Sequence, residues 1–243
     1  MTANAQSKTY GQTVTFGSGN TNFTPSGLQN GETVGTVTLA ASGNGGAPTA
    51  SVAGSPYTLT PSTAVGGTFT AANYTITYVP GSLAVGPAAL TITADNTNKY
   101  AGEAMAFSGN EFTAGGLQNA ETIGTVTLTS AGTPAAASAG AYSIVPGAPV
   151  GGTFAAGNYT NTFVNGTLTV LAPPTPALAT HGSQCVLSFP TLAGQTYQVL
   201  ATTNLANASW AALGNTIIGT GAMVNQTNII TAPASFFELQ ITP

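Results

Sequence analysis

Residues 27–39 read GLQNGETVGTVTL, and residues 116–128 repeat this stretch as GLQNAETIGTVTL. Two further blocks recur in the same order in both copies. GGTF begins at Gly66 and again at Gly151, while NYTITYVPGSLAV from Asn73 returns as NYTNTFVNGTLTV from Asn158. The copies are offset by 89 residues at the first block and by 85 at the last. A period of this length is that of a whole small domain, so the sequence predicts tandem modules rather than a solenoid.

Hydrophobic residues alternate with threonine along both copies, which is the period of a β-strand. In the last block Tyr74, Ile76 and Tyr78 share one face, and the threonines between them point the other way. The many Gly, Pro, Thr and Val residues are poor helix formers, so we predict an all-β chain. The Asn-Gly dipeptide at residues 165–166, like Pro-Gly at 80–81, predicts a hairpin turn.

The repeat and its end divide the chain into three predicted domains. We expect tandem Ig-like or β-sandwich modules at residues 1–86 and 87–171, followed by a Pro-rich linker at 172–176. Residues 177–243 lack the repeat and form a third predicted β-module, which holds the only Trp, His and Cys of the chain.

The low charge of the chain excludes several function classes. Charged residues are only 3% of the sequence and the net charge is −4, with no arginine and two lysines. Nucleic-acid binding depends on clusters of Lys and Arg, so we exclude a nucleic-acid partner. No stretch approaches 18 apolar residues, and no signal peptide precedes Thr2, so we expect no membrane insertion and an export signal outside this sequence. A weakly charged Thr- and Asn-rich surface favours self-association.

The first copy lacks most of its opening strand. When Tyr10 is aligned with Tyr100, the strand that contains Leu90 has only the first two residues as its counterpart. One explanation is a processing boundary that cuts through a strand. The other is that a neighbouring molecule supplies the strand, because an unpaired sheet edge is a template for strand addition. The candidate assembly edge is Met1, Thr2 and Ala3.

No residue pattern indicates catalysis or a cofactor. His181 and Cys185 are four residues apart, but no further His or Cys completes a zinc site or an obvious nucleophilic pair. Glu32 and Glu121 are repeat equivalents, so they are expected to serve turn geometry or a local hydrogen bond rather than to pair in a glycosidase cleft. We therefore predict a protein that is not an enzyme, with no catalytic, cofactor-binding or metal-binding residues.

Four further features allow weaker interpretations. Glu103 and Glu111 are the closest acidic pair and the weak candidates for calcium. Lys8 and Lys99 shift by one position when the tyrosines align, so a shared isopeptide cross-link is not expected and both are predicted to be solvated strand ends. Trp210 is either a sugar-stacking platform or a core residue.

Asn161 departs from the repeat, because Ile76 occupies its place in the first copy. A buried amide without a partner costs about 1–3 kcal/mol. Asn161 is therefore expected either to be hydrogen-bonded or to lie on a shallower face, with a contact between modules or subunits as a further alternative.

Several of these blocks resemble a known family. LTITADNTNKYAG from Leu90, SKTYG from Ser7 and the repeated GL-x-N-x-E-T and NYT-x-T-[YF]-V-x-G-[ST]-L-x-V blocks are similar to the MBG module of bacterial surface and secreted proteins. The tail resembles a short C-terminal β-module of secreted planctomycete and verrucomicrobial proteins, through LSFP from Leu187, GQTYQV from Gly194, TTNLANASW from Thr202 and FFEL from Phe236. Both resemblances imply exported, repetitive, non-catalytic proteins.

Three functions remain open at this point. The first is an extracellular or cell-surface structural protein, a stalk or a head-to-tail filament or matrix subunit, whose partners are itself or neighbouring modules. The second is an adhesin or carbohydrate-binding module that uses Trp210. The third, ice binding by flat threonine faces, depends on composition alone.

Overall fold

A computed structural model describes residues 1–207, 209–229 and 235–242. The chain forms two compact units, Met1–Leu171 and Ala172–Pro243, and both repeats lie in the first. The all-β prediction is confirmed, since the only helices among the described residues are 3-10 turns of three residues. The unit boundary coincides with the start of the predicted linker. The further division at residue 86 stays a prediction.

The first repeat contains six strands and three 3-10 turns. A four-stranded sheet has the order β2-β6-β5-β4, and a two-stranded sheet joins β1 to β3. The strands are β1 (Thr2–Ala3), β2 (Gln6–Thr9), β3 (Phe23–Thr24), β4 (Val34–Ala41), β5 (Tyr57–Gly67) and β6 (Gly81–Gly86), and the turns are Ser42–Asn44, Val52–Gly54 and Ala71–Asn73.

The second repeat has seven strands and one 3-10 turn. Its four-stranded sheet has the order β8-β13-β11-β10, which matches the first repeat strand for strand, but its other sheet has three strands in the order β12-β7-β9. The strands are β7 (Ala88–Ala94), β8 (Thr97–Tyr100), β9 (Phe112–Gly115), β10 (Ile123–Thr129), β11 (Gly140–Gly152), β12 (Tyr159–Val164) and β13 (Gly166–Leu171), and the turn is Ala156–Asn158.

The hairpin prediction at residues 165–166 is wrong. The strands on either side do not pair with each other, because β12 pairs with β7 while β13 pairs with β11 and β8 in the other sheet. The dipeptide is a crossing between sheets, and glycine is needed there because a Cβ on Gly166 would lie 2.5 Å from the carbonyl oxygen of Ala94. At the equivalent crossing, a Cβ on Gly81 would lie 2.4 Å from the Ala3 oxygen.

Each repeat buries the inward residues of its two sheets, but the two cores differ in completeness. The second core contains Leu90 and Ile92 of β7, both fully buried, and extends to Tyr10 and Val85 of the first repeat. The first core has only half-buried Met1 in the place of that aliphatic pair. The remaining buried hydrophobic residues of the first core are Ala3, Phe23, Val37, Leu39, Leu59, Ala64 and Leu83.

The prediction that Lys8 and Lys99 are solvated is wrong, since they are 6% and 3% exposed. They are also structural equivalents, because Lys8 pairs with Val85 and Lys99 with the corresponding Val170. An additional residue between lysine and tyrosine in the first repeat explains the apparent shift. Their ammonium groups donate to backbone carbonyls, Lys8 to Gln12 and Ala47, and Lys99 to Glu103, Thr133 and Pro134. Burial lowers the pKa of Lys8.

The second unit is also built of two sheets. One has the order β14-β15-β19, and in the other β16 pairs with β17, β18 and β20. Tyr197 and Phe189 are fully buried, with ring centroids 5.7 Å apart. The strands are β14 (Ala177–His181), β15 (Gln184–Pro190), β16 (Thr196–Thr202), β17 (Ala211–Ala212), β18 (Ile217–Ile218), β19 (Met223–Ile229) and β20 (Phe236–Thr242), with a 3-10 turn at Leu205–Asn207. None of the described helices is long enough to span a membrane.

Asn161 gives a prediction about stability. It lies in β12 opposite Leu90, half-buried, and its buried Oδ1 accepts no hydrogen bond from the described residues. Replacement with the isoleucine of the first repeat should raise the free energy of unfolding by about 1–3 kcal/mol, because it removes the unsatisfied amide. Urea unfolding of Asn161→Ile measures this gain. Thr162→Ile, on the exposed side of the same strand, is the control and should give none.

Candidate assembly site

The predicted assembly edge is a strand of two residues wedged between two longer segments. Thr2 pairs with Thr24 and Ala3 with Phe23 in antiparallel register, and Thr2 forms a parallel bridge with Val79. The Ala3 N–H donates to the Val79 oxygen at 3.0 Å, and the Val79 N–H donates to the Met1 oxygen at 2.8 Å. The amino group of Met1 donates to the Thr77 oxygen at 2.8 Å. Pairing stops there.

The second repeat shows the complete form of this sheet. β7 pairs with all six residues of β12 in parallel and with β9 on its other side, where Thr93 faces Thr113 and Ala94 faces Phe112. Since Thr113 and Phe112 are the repeat equivalents of Thr24 and Phe23, Thr2 and Ala3 correspond to Thr93 and Ala94. The first repeat therefore has no counterpart of Ala88–Thr91.

A groove lies where the missing residues would run. It encloses about 210 Å³ between residues 74–77, which match the start of β12, and residues 26–28, which follow β3. Thr75 and Ile76 make no backbone hydrogen bond to any described residue, and residues 74–78 form no strand. The lining residues are Met1, Ser26, Leu28, Phe69, Tyr74, Thr75, Ile76 and Thr77.

A pair of equivalent glycines reports whether the groove is filled. In the second repeat, a Cβ on Gly116 would lie 2.2 Å from the oxygen of Ala89 in β7. In the first repeat, a Cβ on Gly27 would meet nothing within 4 Å. The space beside Gly27 thus has the position and the size of a β-strand backbone. We conclude that the first repeat is a two-sheet module with one strand position open.

The two repeats are joined by a tyrosine–glutamate cluster that the sequence did not reveal. The hydroxyl of Tyr10, from the first repeat, donates to Glu121 Oε1 at 2.6 Å, and that of Tyr159 donates to Glu121 Oε2 at 2.5 Å. The tyrosine rings meet edge to face, with centroids 5.6 Å apart. In the first repeat Tyr74 donates in the same way to Glu32. Both glutamates therefore make the predicted local hydrogen bonds.

The cluster predicts a tyrosine with unusually late ionisation. Burial, together with the hydrogen bond to Glu121, raises the pKa of Tyr159 to about 12. Since the unfolded value is about 10, the stabilisation is fully present below pH 10 and is lost as the pH rises through 12. An ultraviolet titration should show one tyrosinate class near pH 12, absent from Tyr159→Phe. Titration of every tyrosine near pH 10 would contradict this assignment.

The second unit holds the other predicted binding residue. Trp210 lines a cavity of about 430 Å³ with several apolar side chains, of which Leu178, Leu205 and Phe236 are 55%, 54% and 37% exposed. His181 is exposed and Cys185 is fully buried. Within the described ranges, no three His, Cys, Asp or Glu side chains lie close enough together to hold a metal ion.

Glu111, the other half of the predicted weak calcium pair, has a local role. Burial disfavours its charge. However, the N–H and hydroxyl of Ser108 and the N–H groups of Gly109 and Asn110 donate to its carboxylate, and the balance lowers its pKa to about 2. The carboxylate therefore closes a tight loop before β9.

These features define a tandem array of two-sheet β-modules with one open strand position. Comparison with known families identifies the modules. The MBG domain of the YGX type matches residues 1–84 and again residues 90–169, so the chain belongs to the MBG family. MBG domains are non-catalytic β-modules that occur in bacterial surface proteins. A comparison with curated proteins gives no match.

Proposed function

We propose that the protein is an extracellular structural stalk in which MBG modules are joined in series, and that the groove of the first repeat accepts a β-strand from another module. The observation that carries this proposal is the open strand position between residues 74–77 and 26–28. A strand placed there would satisfy the free backbone groups of Thr75 and Ile76. Where the donor is a second copy, strand addition gives a head-to-tail filament.

The donor strand is specified by β7. Its buried residues Ala88, Leu90 and Ile92 alternate with more exposed ones, and it runs parallel to β12. A strand with small and aliphatic residues at alternate positions would therefore cover the first core next to Ile76 and Met1. Charged residues at the inward positions would be excluded, because burial of an unpaired charge is costly.

A labelled peptide with the sequence of residues 88–94, AALTITA, tests strand addition. It should bind the full chain, as measured by fluorescence anisotropy, while AADTITA should not bind because aspartate replaces the inward leucine. A variant that carries Ala-Ala-Leu-Thr-Ile in place of Met1 should fill its own groove and lose peptide binding. Equal binding to this variant and to the native chain, or no binding at all, would refute strand addition.

Light scattering across concentration, with negative-stain imaging, tests the filament form of the proposal. Growth into regular polymers that the added strand suppresses would identify a second copy as the donor. Polymers that persist unchanged in that variant would assemble through some other surface.

The cavity beside Trp210 supports a second candidate function, adhesion or carbohydrate binding by the second unit. An indole next to exposed Leu178 and Phe236 gives an apolar platform on which a sugar ring could stack. Trp210→Ala should then abolish glycan binding without changing the thermal unfolding of the chain. A glycan screen with no hits for the folded protein would count against this function. The similarity of this unit to C-terminal modules of secreted planctomycete proteins stays a prediction.

A further inference from the structure

The surface of the second repeat that holds the first repeat has an unoccupied duplicate. Five side chains form the receiving face of the second repeat, and the same five residue types form the receiving face of the first. They are Gln118, Asn119, Glu121, Asn158 and Tyr159 in the second repeat, and Gln29, Asn30, Glu32, Asn73 and Tyr74 in the first.

The receiving face of the second repeat binds three parts of the first. Besides the Tyr10 hydroxyl on Glu121, the side-chain oxygen of Asn158 accepts the Val52 N–H at 2.9 Å. The side-chain amide of Asn119 donates to the oxygen of Pro48 at 3.3 Å. The face thus recognises a tyrosine hydroxyl, a backbone donor and a backbone acceptor.

The receiving face of the first repeat is built in the same conformation. The asparagine of the turn has a positive φ in both copies, 52° at Asn30 and 53° at Asn119. In both turns the glutamate N–H donates to the glutamine oxygen at 2.9 Å. The glutamine N–H donates to the tyrosine hydroxyl at 3.0 Å in the first repeat and 2.8 Å in the second. The binding geometry is therefore preorganised without a partner.

The two faces differ in what covers them. Asn158 and Tyr159 are 6% and 7% exposed beneath the first repeat, whereas Asn73 is exposed and Tyr74 is half-buried. Among the described residues, Glu32 receives the hydroxyl of Tyr74 but no second hydroxyl like that of Tyr10. The carboxylate retains the acceptor position that Glu121 uses to hold the neighbouring module.

We propose that the receiving face of the first repeat binds a further MBG-type module through that module's Tyr-Gly pair, whose tyrosine hydroxyl donates to Glu32. This inference rests on the proposed function, because the same module would supply the strand for the groove. Within the chain, β6 ends at Gly86 and β7 begins at Ala88. The module that contributes Tyr10 therefore runs directly into the strand that completes its neighbour.

The residues next to the tyrosine specify the partner. A Cβ on Gly11 would lie 2.2 Å from Gln118 Oε1, so the residue after the tyrosine must be glycine. In the second repeat Tyr100 is followed by Ala101, which does not fit, and Tyr10 of any second copy already binds Glu121 in its own chain. The partner is thus an additional module of the Tyr-Gly form and not a second copy of this chain.

An extended chain tests the inference. Residues 1–94 are placed directly before residues 4–243, so that an inserted module supplies residues 88–94 to the groove and its own Tyr10 to the face of the next module. A double-mutant cycle then combines Tyr10→Phe in the inserted module with Glu32→Gln in the module after it. The melting temperatures should be non-additive by about 2–6 °C, as expected for a hydrogen bond to a charged group in a chain of this size.

The native chain provides the matched control. The cycle of Tyr10→Phe with Glu121→Gln should give similar coupling, because it probes the occupied face. Additive effects in the extended chain, with coupling in the native cycle, would overturn the inference. Slow hydrogen exchange at Thr75 and Ile76 in that same extended chain would show that strand addition survives while the receiving face does not. Dimerisation of the native chain that Glu32→Gln abolishes would make a second copy the partner and would also overturn it.

Discussion

Gly116→Ala should destabilise the protein by more than about 3 kcal/mol, while the equivalent substitution Gly27→Ala should cost only about 1 kcal/mol. Both glycines have a positive φ, so both variants carry the backbone cost of an alanine in that conformation. Only at Gly116 does the new Cβ meet a strand, 2.2 Å from the oxygen of Ala89. β7 would have to move, and with it the fully buried Leu90 and Ile92.

Urea unfolding of the two variants at low protein concentration measures this difference. The comparison is well matched, because both sites follow the same residues in the two repeats and receive the same substitution. Equal losses would mean that a strand occupies the groove of the first repeat in solution. The same measurement at high concentration would then show whether a second copy supplies it, since a loss at Gly27 that grows with concentration requires an intermolecular strand.

Lys99→Met should reduce the free energy of unfolding by about 3 kcal/mol or more. Methionine fills the space of the buried stem but removes the ammonium that binds three backbone carbonyls, those of Glu103, Thr133 and Pro134. Each buried acceptor left without a donor costs about 1–3 kcal/mol. The same lysine fastens the loop after β8 to the loop between β10 and β11, so both loops should exchange amide hydrogens faster.

Lys8→Met is the matched control for this prediction. The Lys8 ammonium binds two carbonyls, those of Gln12 and Ala47, and the substitution should therefore cost less than Lys99→Met. Thermal and urea unfolding of both variants would rank the two sites. If either lysine could be replaced without loss, the carbonyls would be satisfied by water and the ammonium would be dispensable for the fold.

The strand content and the repeat were predictable because they depend on short-range patterns. The alternation at Tyr74, Ile76 and Tyr78 has the strand period, and the recurrence of whole blocks shows the duplication directly. Even the missing strand could be inferred, since Leu90 has no equivalent in the first copy. For the receiving face, the sequence contained a signal that was not used: the five residue types recur together, although only one copy is occupied.

Other features failed because they depend on which strands become neighbours. The Asn-Gly at residues 165–166 has the composition of a hairpin turn, but β13 leaves for the other sheet. Lys99 resembles a solvated strand end until the loops at Glu103 and Thr133 close over it. Low charge gave no indication that the two lysines are buried.

The sequence by itself determined that this is an all-β chain of tandem MBG modules with an incomplete first copy, because alternation, duplication and a missing segment are properties of residue order. Only the tertiary structure decided that Tyr10 crosses into the second repeat to meet Glu121 and that the equivalent Glu32 is left without such a partner. These contacts join residues more than a hundred positions apart, or depend on a partner's absence, and the packing of the sheets sets both.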